Sequence, residues 1–401
     1  MLTREENDLL TRTGPGTPMG ELLRRYWMPA LLASELEADG EPKQVMLLSQ
    51  RFVAFRDSQG RVGLLDENCP HRGASLAYGR NEQCGLRCIY HGWKVDVDGN
   101  ILDTPSEPED STFKQRIKQQ AYGVHEVGGL IWVYLGPPNK RPPFPAWEWT
   151  HAPANQLEID KVWQDCNYAQ GLEGSIDSVH SDFLHSVELR DRPSDHRPSF
   201  EVEDRPYGFR YAAIRRPDSD PERLRYVRVT LFMAPCYVLT PPQRRGPDYE
   251  IMNHQAWVPI DDEHNFFFSM RYNRAGPLTE NHGAQFQRSE DFRPARKRAN
   301  KHLQDRAAMK NGNWTGIQGV NSQDFAVVES MGPIYDRTRE HLGSTDVAIA
   351  RFRRWMIYHA RALAEGVEPP GLDGTFDYPR LASEEKIVPV EMPWQEVAPC
   401  S

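Results

Sequence analysis

Four residues in one short stretch carry metal-ligand chemistry. Cys69-Pro-His71 is followed, after sixteen intervening residues, by Cys88-Ile-Tyr-His91. Each pair offers one thiolate and one imidazole. A Rieske-type [2Fe–2S] centre needs that division, because two Cys bind one iron and two His bind the other. Replacing two thiolates by neutral imidazoles raises the reduction potential relative to an all-Cys cluster. Gly73 and Gly92 permit close backbone approach, so that backbone N–H groups can tune the sulfurs. Trp93 is placed to shield the cluster from solvent. A structural Cys2His2 zinc site uses the same ligand types, but its usual order pairs Cys with Cys and His with His. Cys84 is read as a free thiol. Cys166, Cys236 and Cys400 have no ligand-like spacing and are read as small core or surface residues.

A second constellation runs Glu173-x3-Asp177-x2-His180-x4-His185. On a continuous helix, residues 173, 177 and 180 share one face. His185 lies about 140° round from His180 on an ideal helix. Both imidazoles reach one metal only if the helix is distorted between them, as by a π-bulge or a broken turn. Two neutral His and one carboxylate, with other positions open, is the facial arrangement of non-haem Fe(II) oxygenases. The third ligand must come from elsewhere in the chain. Asp324, in the first turn of a predicted helix ending at Gly332-Pro333, is the best candidate, and Glu329 and Asp336 are rivals.

The elements that must position these residues fall into two blocks. Residues 1–40 read as helical and then irregular. From residue 41 to 136 the pattern is short strands: KQVMLLS, RFVAFRD and RVGLLDE, then WKVDV and NILDT around Asp98-Gly99, a hairpin signal, then the buried run GGLIWVYLG. PPNKRPPFPAW (137–147) reads as a linker. Beyond it, 167–185 is helical in period. GFRYAAIRR, YVRVTLFMAPCYVLT, HQAWVPID and NFFFSMRYN read as antiparallel strands, and helices return at 287–311, 321–331 and 345–364. Strands in a run, bracketed by helices, give an α+β class with helices on one face of an antiparallel sheet.

The 401 residues, 39% hydrophobic and 26% charged, suit two globular domains or one large one. The net charge of −9 argues against general nucleic-acid binding. No stretch approaches the length of a membrane span, and MLTREENDLL does not read as a secretory signal. Six scattered cysteines fit a reducing compartment, so the expected location is the cytoplasm.

CPHRGASL…CIYHGW followed by EGSIDSVHSDFLH resembles the oxygenase (alpha) component of Rieske non-haem iron aromatic ring-hydroxylating oxygenases. More narrowly, APCYVLTPP, WVPIDDEHNFFF and SQDFAVVESMGPIYDRTREHLGSTDVAIARFRR make the chain similar to the phthalate 4,5-dioxygenase group, over nearly its whole length. The resemblance implies an all-β Rieske domain at 41–136 and a helix-grip (START-like) catalytic domain at 137–401, with 1–40 packing on the latter. It implies Cys69, His71, Cys88 and His91 as cluster ligands and His180, His185 and Asp324 as ligands of a mononuclear Fe(II). It implies Asp177 as the carboxylate that bridges a cluster His of one subunit to an iron His of its neighbour; Glu173, one helical turn before Asp177, is read as its support. It also implies an α-only homotrimer, single or stacked.

The implied activity is hydroxylation of an aromatic carboxylate with O2 in aromatic catabolism. Electrons would come from NAD(P)H through a separate flavin- and iron–sulfur-containing reductase, since this chain has no Gly-rich dinucleotide fingerprint. The same machinery serves a monooxygenase or an O- or N-demethylase. A chain keeping only the cluster would be an electron carrier, against which the helical His pair argues. A substrate carboxylate calls for an Arg. Strand alternation in GFRYAAIRR puts Arg210, Ala212 and Ile214 on one face and Tyr211, Ala213 and Arg215 on the other, so Arg210 and Arg228 are the candidate anchors.

Overall fold

A computed structural model of the chain describes residues 1–188, 193–244, 246 and 249–398. Cys400 lies outside the described residues. The chain divides into two compact units, Arg24–Phe144 and Met1–Leu23 with Pro145–Ser401. The N-terminal division thus falls at Leu23 rather than at residue 40. The cause is local, since Met28–Leu32 is a strand with a buried, sheet-paired backbone and not a continuation of the preceding helix. The C-terminal division falls inside the Pro-rich stretch.

The unit Arg24–Phe144 is all β. Ten strands run β1 Met28–Leu32, β2 Lys43–Leu47, β3 Gln50–Arg56, β4 Val62–Asp66, β5 Arg80–Glu82, β6 Gly85–Arg87, β7 Lys94–Val95, β8 Ile101–Asp103, β9 Gly123–Val127 and β10 Leu130–Tyr134. They form three antiparallel sheets in the orders β1-β10-β9, β2-β3-β4 and β5-β6-β7-β8. The predicted hairpin at Asp98-Gly99 joins β7 to β8, and Gly99 takes the left-handed φ of +82° that this turn requires. Val53, Phe55, Leu65, Leu76, Leu86, Trp93 and Val95 form a core that also includes Cys69 and Cys88.

The other unit is α+β. Helices α1 Arg4–Thr11 and α2 Pro18–Leu23 come first, and Thr3 and Glu6 close a capping box on α1. Strands β11 Leu157–Gln164, β12 Ser199–Arg205, β13 Gly208–Arg215, β14 Leu224–Met233, β15 Tyr237–Arg244, β16 Glu250–Pro259 and β17 Asn265–Asn273 make an antiparallel sheet in the order β11-β17-β16-β15-β14-β13-β12. β18 Glu384–Pro389 pairs with the part of β14 that β15 leaves free.

The helices of this unit are α3 Tyr168–Ile176, α4 His180–Phe183, α5 Arg306–Lys310, α6 Val320–Ser330 and α7 Val347–Ala364. Phe232 on β14 packs against Phe352 and Trp355 of α7, and Trp257 on β16 packs against Phe325 of α6. These contacts put α6 and α7 on one sheet face. The expected helix over 287–311 is not formed. That stretch holds only a 3-10 turn at Arg298–Leu303 and the five-residue α5, with Lys301, His302 and Leu303 at φ near +50°. It lacks the apolar stripe that stabilises a helix by packing.

Candidate metal centres

In the β unit, two loops of the same design carry the Cys and His pairs. Gly73 N–H donates to Cys69 O at 2.9 Å, and Gly92 N–H donates to Cys88 O at 3.0 Å. Both glycines are left-handed, at φ +76° and +75°, where a side chain would be strained. Cys69 N–H donates to Ala74 O and Cys88 N–H to Trp93 O, each at 2.8 Å, which closes the base of each loop. The cysteines are buried, His91 is half-buried and His71 is exposed.

The four donors associate by type. The Cys69 and Cys88 side chains are hydrogen-bonding neighbours, and the His71 and His91 rings lie 4.5 Å apart edge to face. A two-iron centre asks for that grouping, thiolates on one iron and imidazoles on the other. Burial pushes the Cys69 thiol up to about 11, while the His71 and Arg72 amides donate to its sulfur and pull the other way. A cluster iron would override that burial cost by binding the thiolate. Trp93 stacks on His71 at 4.6 Å and 6°, so it covers an imidazole as well as the buried sulfurs.

In the α+β unit, the run 167–185 breaks where the sequence suggested continuity. Asn167 caps α3, its side chain accepting from Ala169 N–H. The helix stops at Asp177, whose backbone is extended (φ −67°, ψ 124°). Asp177 Oδ1 accepts from Val179 N–H at 2.7 Å and from His180 N–H at 3.3 Å. It thereby takes amide hydrogens that a continuing helix would give to backbone carbonyls. The freed Ile176 O accepts from the Tyr211 hydroxyl on β13. Residues 173, 177 and 180 therefore do not share one helix face.

The expected irregularity between the two His residues is also present. α4 lasts one turn, and the chain then tightens to i→i+3 bonds, Ser186 N–H to Phe183 O and Glu188 N–H to His185 O. His180 Nε2 and His185 Nε2 stand 3.3 Å apart. Asp324 Oδ1 is 2.9 Å from the latter and 3.5 Å from the former. Neighbouring ligands of one ion, with bonds of about 2.1 Å at right angles, are separated by about 3 Å. Two imidazole nitrogens and a carboxylate oxygen form a donor set that suits a non-haem Fe(II) ion with open positions. Burial disfavours the His185 imidazolium, but the adjacent Asp324 carboxylate outweighs it and raises the pKa above the ordinary value.

Rival and supporting residues have other partners. Asp336 is exposed and accepts from Thr338. Glu329 is buried 3.4 Å from His302. Glu173 does not support Asp177; it is clamped by Arg337 at 2.9 Å and Arg353 at 2.7 Å. Burial works against its ionisation, but these two guanidinium groups hold its carboxyl below the ordinary range. Asp177 Oδ2 faces His180 Nδ1 at 3.8 Å.

Two residues that the sequence reading passed over complete the support. Gln323 Oε1 lies 2.7 Å from His185 Nδ1. Arg215 Nη2 donates to Asp182 Oδ2 at 2.9 Å and to Ser178 O at 3.3 Å, tying α4 to the sheet. The strand alternation did place Arg215 with Tyr211, and both face α3 and α4. Arg210 is accordingly on the far face. It pairs with Glu203, donates to Ala398 O and lies over Trp394, so its reading as a substrate anchor is corrected. Arg228 sits opposite Ala213, on the face that Tyr211 and Arg215 share. A cavity of about 300 Å³ opens beside the donors, lined in part by Asp177, His180, Asp324, Trp257, Val327 and Met331. Neither Arg210 nor Arg228 lines it.

Comparison with known proteins agrees with both halves of this description. Residues 26–120 match the Rieske [2Fe-2S] domain family, and residues 133–400 match the family described as LigXa C-terminal domain like. The chain is 42% identical to the phthalate 4,5-dioxygenase oxygenase subunit of Pseudomonas putida, covering 99% of this chain and 94% of that one. It is 35% identical to the 3-chlorobenzoate-3,4-dioxygenase oxygenase subunit of Comamonas testosteroni, covering 98% and 97%. In fold it is similar to the structure of a Pseudomonas putida CBB5 NdmA variant with caffeine, at a TM-score of 0.64 and 20% identity, covering 87% of this chain and 94% of that one. A Rieske domain followed by an α+β domain with this likeness along its whole length places the chain among the Rieske non-haem iron ring-hydroxylating oxygenases, as an oxygenase (alpha) component of the phthalate 4,5-dioxygenase-like group, with a [2Fe–2S] cluster and mononuclear iron as cofactors and O2 as co-substrate.

Proposed function

We propose that this oxygenase hydroxylates an aromatic carboxylate of the phthalate or aryl-acid type, with electrons passed from NAD(P)H by a separate flavin- and iron–sulfur-containing reductase. The observation that carries the substrate class is the likeness, over nearly the whole chain, to oxygenase subunits named for phthalate and for 3-chlorobenzoate. Arg228 is a candidate anchor that lies outside the lining of the cavity beside the iron donors. Its side chain is only 12% exposed, on the sheet face that looks towards α3. Glu385 accepts from its Nη1 at 2.5 Å, while its buried Nε has no hydrogen-bond partner among the described residues. A guanidinium with donor capacity to spare suits an aromatic acid.

In this reading Cys69, His71, Cys88 and His91 hold the cluster, and His180, His185 and Asp324 hold the mononuclear iron. When bound, these groups supply a one-electron relay and O2 activation. The chain's own residues do the rest. Asp177 fixes the entry of α4 and orients His180. Gln323 orients His185. Arg215 and Tyr211 anchor the break between α3 and α4, so both imidazoles keep their aim. Asp177 would also serve as the hydrogen-bonding bridge between His180 and a cluster histidine, His91, of a neighbouring copy, giving the electron a short path from cluster to iron. That role calls for more than one copy, here a homotrimer, single or stacked, and the proposed location is the cytoplasm.

The test is oxygen uptake by the reconstituted oxygenase and reductase over phthalate isomers, phenoxybenzoates and methoxybenzoates, with product analysis under labelled O2. The expected result is a non-aromatic cis-dihydrodiol of the acid carrying both labelled atoms. Loss of an alkyl group would instead assign monooxygenation or demethylation. Electron passage without incorporation of oxygen into any acid would mark an electron carrier and overturn the proposal.

A further inference from the structure

The second cluster loop is held by a side chain outside the ligand set. Arg87 ends strand β6, immediately before Cys88. Its Nη1 donates to Gly92 O at 2.6 Å, the carbonyl next along the chain from His91. The same nitrogen donates to Asp103 Oδ2 on β8 at 2.9 Å, and Nε donates to Glu82 Oε1 on β5 at 3.0 Å. One guanidinium thus joins two strands of the sheet to the loop that carries Cys88 and His91. The loop has little slack on its other side. Gly92 is left-handed, and Pro105 stands 3.0 Å from where a Cβ would lie.

We infer that Arg87 is a positioning residue for electron transfer, which fixes the His91 loop and sets the reduction potential of the cluster with a fixed positive charge beside it. The inference rests on the reading of Cys88 and His91 as ligands. The oxidised centre, with two ferric ions, two sulfides, two thiolates and two neutral imidazoles, sums to zero charge. One electron from the reductase leaves it with one net negative charge. A fixed cation nearby favours that form and a fixed anion disfavours it. Arg87 offsets Glu82 and Asp103. Without it these two carboxylates face the loop, and among the described residues the ion pair left to them is that of Glu82 with Arg80, whose side chain is 72% exposed and screened by water.

Opposite shifts are therefore expected from the two sides of the Arg87–Asp103 pair. The experiment is a redox titration of the intact oxygenase, following the EPR signal of the reduced cluster. Arg87→Gln is expected to lower the reduced-to-oxidised ratio at a given poise by about tenfold, which is about 59 mV for a one-electron couple. Asp103→Asn is expected to raise it by about threefold by the same electrostatic argument. Arg87→Lys keeps the charge but not the planar fork, and is expected to recover part of the loss. Ratios within twofold of the parent in both Arg87→Gln and Asp103→Asn, at full cluster content, would overturn the inference. Should Arg87→Gln fail to assemble a cluster, Asp103→Asn decides alone by the direction of its shift. Iron and sulfide analysis of Cys88→Ser separates the two readings. A full cluster in that variant shows that the ligand assignment is wrong, whatever Arg87 does.

Discussion

Gln323 Oε1 stands 2.7 Å from His185 Nδ1, one residue before the carboxylate that His185 faces through Nε2. The amide orientation follows from its other end. Gln323 Nε2 donates to Glu188 Oε1 and to Ile317 O, each at 2.9 Å, so its oxygen is the acceptor. His185 must then carry its proton on Nδ1 and present a bare Nε2 to the centre. Gln323→Leu removes that control while keeping the residue buried. It is expected to weaken retention of the mononuclear iron by about 10–100-fold. Chelator competition checks this, with the cluster EPR signal as an internal control. Unchanged iron affinity would show that Gln323 packs without orienting.

Asp177 divides its two oxygens between two jobs. Oδ1 is spent on the amides of Val179 and His180, and Oδ2 faces the His180 ring at 3.8 Å. Asp177→Asn keeps an oxygen for the amides, so the α3–α4 break and both metals should survive. What it loses is the negative charge beside His180. The expected outcome is normal iron content with cluster oxidation slowed by at least an order of magnitude in a single turnover, in line with the effect of losing a charged group beside a metal ligand. His180→Ala provides the contrast, losing mononuclear iron and turnover while keeping the reduced-cluster signal. Rapid cluster oxidation in Asp177→Asn would remove Asp177 from the electron path.

These two residues also mark how much could be seen beforehand. The cluster loops were legible because all four donors lie within two short loops, each closed by a glycine of its own. Strands β2, β3, β4, β7, β8 and β10 and the run β13 to β17 were legible from alternation and turn residues, whereas β1, β5, β6, β9, β11, β12 and β18 were not read. The need for a distortion between His180 and His185 followed from helix geometry, but its larger half lies upstream. An Asp that takes its own downstream amides has no spacing signature. Gln323 was missed for the same reason, since an amide that orients a ligand looks like any polar helix residue. Alternation separated Arg210 from Tyr211 and Arg215, yet only the packing of α3 and α4 shows which face looks towards the iron site. The stretch 287–311 was expected to be helical, whereas it forms only a 3-10 turn and the short α5, with His302 buried beside Glu329 of α6.

Whether Arg228 engages an aromatic acid from outside the cavity lining is decided by kinetics. It shares Glu385 with Tyr226, whose hydroxyl donates to the same Oε2 at 2.7 Å. Arg228→Lys keeps a cation for Glu385, so the buried pair is not left as a lone charge. It loses the planar fork that a carboxylate engages. A charged hydrogen bond contributes about 1.5–3 kcal/mol, so kcat/KM for an aromatic acid should fall by about 10–100-fold, mostly through KM. The corresponding methyl ester should show no comparable loss. Equal losses for acid and ester would mean that Arg228 only supports the sheet.

Glu329 predicts how stability depends on pH. It lies five residues beyond Asp324 on α6 and is 2% exposed. Its Oε1 accepts from Asp165 N–H at 3.2 Å, and Oε2 is 3.4 Å from His302 Nε2. Burial pushes its carboxyl up to about 7; the Asp165 charge adds to this, while the Arg298 guanidinium and the Asp165 and Arg298 backbone amides oppose it. His302 is of little help, because burial and then Arg296 and Arg298 push its own pKa down. An unfolded Glu releases its proton near 4.5, so between that pH and about 7 the folded state holds more protons than the unfolded state. This group's contribution to stability therefore falls as pH rises through that window. Glu329→Gln keeps an acceptor for Asp165 N–H and removes the titration. The variant should match the parent near pH 5 and exceed it by about 1–3 kcal/mol at pH 8. Unfolding midpoints measured across that range check the slope. A difference that stays constant with pH would show that Glu329 is charged in the fold and held by His302 after all.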